Sequence, residues 1–215
     1  MSAAKKGLVL DDVSVSLDGE ALLRVDAQIG PGETLTLMGP SGSGKSSLLG
    51  YVSGVLSSDL EARGAVWLDG ARIDGLPPEE RKCGLLFQDA LLFPHLSVGG
   101  NLAFGLGPSV RGRAARRAAV ETALAEADLA GFADRDPATL SGGQKARVAL
   151  LRVLLSQPKA LLLDEAFSKL DAALRQQFRA YVFDQARARG LPVLMVTHDP
   201  QDAEAAGGRV VDLAG

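Results

Sequence analysis

The chain has 215 residues, 47% of them hydrophobic, enough to bury a large core as one domain or as a domain with an inserted lobe. A formal net charge of −3 argues against a general nucleic-acid binder, and no apolar run long enough to span a bilayer is present. The single cysteine, Cys83, excludes an internal disulfide and fits a reducing compartment, with a small buried hydrophobe as its simplest role.

Met1 to Lys6 lacks the apolar stretch of a signal peptide, so a cytosolic protein is expected. Residues 8–10 and 13–17 read as one or two strands, Asp18-Gly19 as a hairpin turn, and 22–27 as the return strand. Gly30-Pro31-Gly32-Glu33 turns the chain into an apolar, β-favouring strand over 34–38. An antiparallel β-layer therefore precedes a buried strand. That strand feeds Gly39-Pro40-Ser41-Gly42-Ser43-Gly44-Lys45-Ser46-Ser47, which matches the phosphate-binding pattern G-x-x-x-x-G-K-[ST], and residues 46–54 can form the helix that must follow. The glycines let backbone N–H groups converge on an anion, and the helix adds its positive end. Lys45 is placed to reach the β- and γ-phosphates of a nucleotide, and the Ser46 hydroxyl to ligate Mg²⁺.

Residues 65–68 and 71–73, split by Asp69-Gly70, predict a second hairpin, with Trp67 packed on the sheet rather than serving as a binding platform. Pro77 to Arg81 suits a short helix start. Residues 83–87 read as a buried strand with Gln88 at its carboxyl end, where a side chain can reach Mg²⁺ or an attacking water. From 89 to 139 strand signals fade. Residues 97–104 and 114–127 read as helices of an inserted lobe, and the run Arg111, Arg113, Arg116, Arg117 reads as a solvated face rather than a lipid contact. Leu140-Ser141-Gly142-Gly143-Gln144, followed by an amphipathic helix over 146–156, makes a second anion site. It lacks a Lys-Ser pair, so it completes a site rather than making one. An apolar strand over 160–163 ends in Asp164 and Glu165, the first suited to Mg²⁺ and the second to polarising a water. A strand over 191–197 ends at His198, which can contact a γ-phosphate, and 209–213 reads as a last strand.

In this order the chain resembles the ATP-binding subunit of ATP-binding cassette (ABC) transporters over nearly its whole length. The phosphate loop at 39–47 is followed by the Q-loop at Gln88, the signature at 140–144 and Walker B at 161–164 with Glu165. The D-loop Ser168-Lys169-Leu170-Asp171 and the switch histidine in Thr197-His198-Asp199 complete the set. Leu86-Phe87-Gln88, the segment Leu92 to Val98 and Asn101 are similar to the bacterial importer branch, in a short form without a C-terminal regulatory domain. The resemblance implies an α/β fold: a P-loop NTPase core with a mainly parallel sheet, an N-terminal antiparallel β-layer and an inserted helical subdomain. It places the core at 1–88 and 140–215 and the helical subdomain at 89–139. It also implies a head-to-tail homodimer in which Ser141, Gly142, Gly143 and Gln144 of one copy cap the ATP held by Lys45 and Ser46 of the other, with Asp171 among the nucleotide-binding residues. Mg²⁺ would be held by Ser46, Gln88 and Asp164. Glu165 would activate the water and His198 would steady the γ-phosphate. A membrane permease, working with a solute-binding protein, would dock on the segment from Phe93 to Val98, placing the chain at the cytoplasmic side of the inner membrane.

The chain departs from the family at three points. No aromatic residue precedes Tyr51, so Leu17, where relatives stack a ring on adenine, offers only apolar contact, and weak discrimination of ATP from GTP is expected. Ala166 stands where relatives usually carry proline, and Lys169 where the D-loop usually has a small residue, with a solvated lysine expected there. A DNA-repair clamp would need a long coiled coil between loop and signature, and no sustained heptads occur there. A small-molecule phosphotransferase would not need residues 140–144. An exporter subunit is separated only by the resemblance over 93–101.

Overall fold

The computed structural model describes residues 6–213. They fall into two compact units, one formed by the chain up to Leu85 with Lys159–Glu165 and from Arg179 onward, the other by Leu86–Pro158 and Ala166–Phe178.

The first unit holds an antiparallel sheet of β1 (Leu8–Leu17), β2 (Glu20–Ile29), β4 (Leu60–Leu68) and β5 (Ala71–Arg72), in the order β2-β1-β4-β5. The expected split in β1 is a register shift between Leu10 and Val13, where Asp12 takes a φ of 51°. One strand therefore runs through a bulge rather than two strands meeting. β4 begins at Leu60, ahead of the strand predicted from 65. Residues 60–64 have little β-propensity of their own, and pairing with Ser14 to Leu17 of β1 makes them a strand.

The second sheet has the order β6-β7-β8-β3-β9, from β3 (Thr34–Met38), β6 (Cys83–Phe87), β7 (Ala160–Asp164), β8 (Val193–Val196) and β9 (Arg209–Asp212). β3 pairs parallel with β8 and β9, and β7 pairs parallel with β8. Leu161 to Leu163 and Val193 to Val196 are buried without alternation, as a sheet covered on both faces requires. α1 (Lys45–Ser53) follows β3, and α6 (Pro200–Ala206) follows β8. α5 (Ala172–Ala188) is absent from the elements predicted above, although Phe178, Val182 and Ala186 recur at helical spacing and are buried.

The second unit is helical: α2 (Val98–Gly105), α3 (Arg113–Glu126), α4 (Gly142–Leu155) and the first residues of α5. The Ser97 hydroxyl caps α2, and the buried Asn101 carboxamide accepts from Phe93 N–H at 2.7 Å and donates to the Phe93 carbonyl at 3.1 Å, fixing the segment between them. α4 starts four residues before the predicted 146. Ser141 and Gln144 form a reciprocal capping box, with Gln144 N–H on Ser141 Oγ at 3.3 Å and Ser141 N–H on Gln144 Oε1 at 3.0 Å. The Ser-x-x-Gln spacing carries that signal.

Candidate functional site

The phosphate loop lies between β3 and α1, as the strand–glycine–helix pattern requires. Lys45 is buried, and its ammonium donates to the carbonyls of Gly39 at 2.8 Å and Pro40 at 2.6 Å and to Ser43 Oγ at 3.2 Å. Ser43 Oγ in turn donates to the Pro40 carbonyl at 2.9 Å. The loop thus curls around its own cation. Ser41, Gly42 and Ser46 are exposed, and Ser47 is half-buried at the start of α1.

Two neighbouring strands of the same sheet deliver the remaining groups. Asp164 ends β7, and its Oδ1 accepts from the Ser46 hydroxyl at 2.7 Å. Burial raises the Asp164 carboxyl above its ordinary range, the Ser46 hydrogen bond opposes the rise, and the neighbouring Glu165 charge adds to it. Glu165 has a φ of 46°, and its N–H donates to the Val196 carbonyl at 3.1 Å. His198 Nδ1 lies 3.1 Å from Glu165 Oε1, just beyond the end of β8. The carboxyl ends of β3, β7 and β8 therefore bring together Lys45, Ser46, Asp164, Glu165 and His198, with an anion-binding loop, hard oxygen donors, a carboxylate base and an imidazole. This is the equipment of phosphoryl transfer to water. Leu17 sits at the end of β1, paired with Glu20 on one side and Leu60 on the other, and its side chain is exposed.

The other predicted residues lie in the second unit. Gln88, exposed after β6, lines a cavity of roughly 160 Å³ together with Gly142, Lys145 and Lys169. Lys169 is exposed, as expected of a solvated lysine, and its ammonium pairs at the surface with Asp89 Oδ1 at 2.5 Å, a partner 80 residues away that no local pattern announces. Ser141 caps α4, so Gly142 and Gly143 present their N–H groups at the start of that helix. Asp171 Oδ1 accepts from Leu174 N–H at 3.0 Å, and Arg175 braces the preceding loop through the carbonyls of Ser168 and Leu170.

The family described as ABC transporter matches residues 22–168. The chain belongs to that family. It is 51% identical over 208 residues to the ABC transporter ATP-binding protein YnjD of Escherichia coli (strain K12), covering 96% of this chain and 95% of that one. It is 43% identical to the thiamine import ATP-binding protein ThiQ of Cereibacter sphaeroides, covering 91% of this chain and 84% of that one. Among solved structures, the ATP-binding cassette MJ0796, a dimer in a post-hydrolysis state bound to ADP and Pi, superposes with a TM-score of 0.80 at 29% identity, covering 96% of this chain and 94% of that one. This ABC protein is an ATPase built on the α/β P-loop fold that its motifs implied.

Proposed function

We propose that two copies of this ABC ATPase close head to tail on ATP and so power solute import through a separate membrane permease. The observation that carries the reading is the convergence of Lys45, Ser46, Asp164, Glu165 and His198 at adjacent strand ends. Lys45 and the loop N–H groups neutralise the β- and γ-phosphates. Glu165 accepts the proton of the attacking water, and His198, in contact with Glu165, holds the γ-phosphate in line. Ser141, Gly142, Gly143 and Gln144 of the other copy, with Asp171, complete the charge shell, so the dimer opens once the phosphate is cleaved. Leu17 gives apolar contact to the base.

The donors fit Mg²⁺. Ser46 and Asp164 are hard oxygen ligands already 2.7 Å apart, and burial of the carboxylate outweighs the relief it draws from the Ser46 hydroxyl and the Lys45 charge, a cost that a divalent cation would offset. Among the described residues no three His, Cys, Asp or Glu side chains are arranged to hold a metal by themselves, so such an ion would draw its other ligands from phosphate and water. When bound, it supplies charge neutralisation at the phosphates.

The catalytic core is assigned to 1–88 and 140–215 and the helical subdomain to 89–139. The permease, served by a solute-binding protein, docks around the segment from Phe93 to Val98. In support, Phe104 and Leu91 expose 69% and 56% of their surface in this unit, and Phe104 packs edge-on against Phe93 at 4.8 Å between ring centroids. The chain then works at the cytoplasmic face of the inner membrane, without nucleic acid. Glu165→Gln tests the scheme. It should abolish turnover and trap an ATP-bound dimer on size-exclusion chromatography, whereas wild-type hydrolysis by this variant refutes it.

A further inference from the structure

The loop that carries His198 is fastened by a side chain outside the chemistry described above. Arg179, on α5, is buried, as are Asp202 and Thr197. Arg179 Nε donates to Asp202 Oδ1, and its Nη2 donates to Asp199 Oδ2 at 3.3 Å. The second oxygen of Asp202 accepts from Thr197 Oγ1 at 2.8 Å, and that hydroxyl accepts from Asp199 N–H at 3.1 Å. Both residues flanking His198 are thereby tied to one guanidinium. The His198 ring is itself 61% exposed, so packing does not fix it, and its distance to Glu165 is inherited from this loop.

We propose that Arg179, through Asp199 and Asp202, is a positioning residue that sets the His198 imidazole for its contact with Glu165 and the γ-phosphate. The inference rests on the role given to His198 under Proposed function. A purely structural need does not require it. Asp199 caps α6 by accepting Gln201 N–H at 2.8 Å, a bond that does not involve Arg179, and a buried ion pair often holds a fold no better than apolar residues of the same size. An apolar pair cannot do what the planar fork does, which is to fix two points of one loop by directional bonds.

The test uses the full chain with Arg179→Lys, the double change Arg179→Met with Asp202→Leu, and His198→Ala. The lysine keeps the charge and loses the fork, so one variant remains informative if the other fails to fold. Each variant should hydrolyse ATP with kcat lowered roughly ten- to a hundred-fold and KM little changed. Neither change should lower kcat further in a His198→Ala background. The chain has two histidines, so the imidazole NMR signals of His198 should move while those of His95 stay. Wild-type kcat in Arg179→Lys, or losses that multiply with that of His198→Ala, overturns the inference alone. A His198→Ala protein with undiminished turnover instead removes the assignment beneath it.

Discussion

Replacing Gly44 by alanine, with Gly42→Ala beside it, separates backbone strain from crowding in the phosphate loop. Both glycines are left-handed, at φ 81° and 83°. An L-residue in that conformation costs about 1–2 kcal/mol at either position. A Cβ on Gly42 meets nothing within 4 Å, whereas one on Gly44 lies 2.9 Å from Leu22 Cβ and 3.0 Å from Leu23 Cδ2. Leu22 Cβ is fixed to the β2 backbone and cannot rotate away, so strand or loop must shift, and such overpacking adds roughly 1–3 kcal/mol. The expected totals are about 1–2 kcal/mol for Gly42→Ala and roughly 2–5 kcal/mol for Gly44→Ala. At about 2–4 °C per kcal/mol for a chain of this size, nucleotide-free melting should fall by roughly 2–8 °C and 4–20 °C. Differential scanning calorimetry reads this directly. ATP should restore less stability to Gly44→Ala, because the displaced segment is the one that cradles phosphate. Equal melting temperatures for the two variants would refute the argument that β2 buttresses the loop.

Asp164 gives a test with a definite sign. Its carboxyl is raised by burial, so the folded chain binds that proton more tightly than the unfolded chain, and ionisation costs stability as pH climbs through the raised value. Asp164→Asn should therefore melt higher than the parent at neutral pH in Mg²⁺-free buffer, with the gap closing as pH falls toward 4; a lower melting point at neutral pH contradicts this. At the base contact proposed for Leu17 there is no ring, so GTP should compete with ATP within about tenfold, a margin near one weak stacking contact, and a strong ATP preference in a competition assay counts against it. Burial pushes the Cys83 thiol up to about 12, so a thiol reagent at pH 8 should modify the native chain far more slowly than the urea-unfolded one, and comparable rates would place Cys83 at the surface.

What the sequence discloses here is what local physics dictates. The phosphate loop, the apolar runs of β3, β7 and β8 and the polar residues at their ends are legible because a parallel strand is apolar throughout and its ligand-binding end is not. The Ser141–Gln144 capping box was equally local and marked the true start of α4. Distant pairing escapes such reading. Residues 60–64 become a strand through β1, Lys169 finds Asp89, and Arg179 looks like any arginine on an amphipathic helix until Asp199 and Asp202 close around it. In the basic run, Arg117 pairs with Glu121 and Asp134, and Arg116 donates to the carbonyls of Ala103 and Val110, partners that the linear pattern does not announce.

The adjacent acids show how backbone conformation divides labour that sequence leaves undivided. In a continuing strand Asp164 and Glu165 would point to opposite faces of the sheet, and one would be lost to the site. Asp164 remains in β7, opposite Val196, with its carboxylate on Ser46. Glu165 leaves the strand with φ at 46°, a conformation that costs a glutamate about 1–2 kcal/mol, and its N–H is held by the Val196 carbonyl. The carboxylate then reaches His198 rather than the far face. The strain sits at the residue assigned to activate water and is secured by β8, the strand that also leads to the histidine. The residues proposed as metal donor, base and phosphate contact are thus set by one pair of neighbouring strands, so a shift in the β7–β8 register would disrupt all three together.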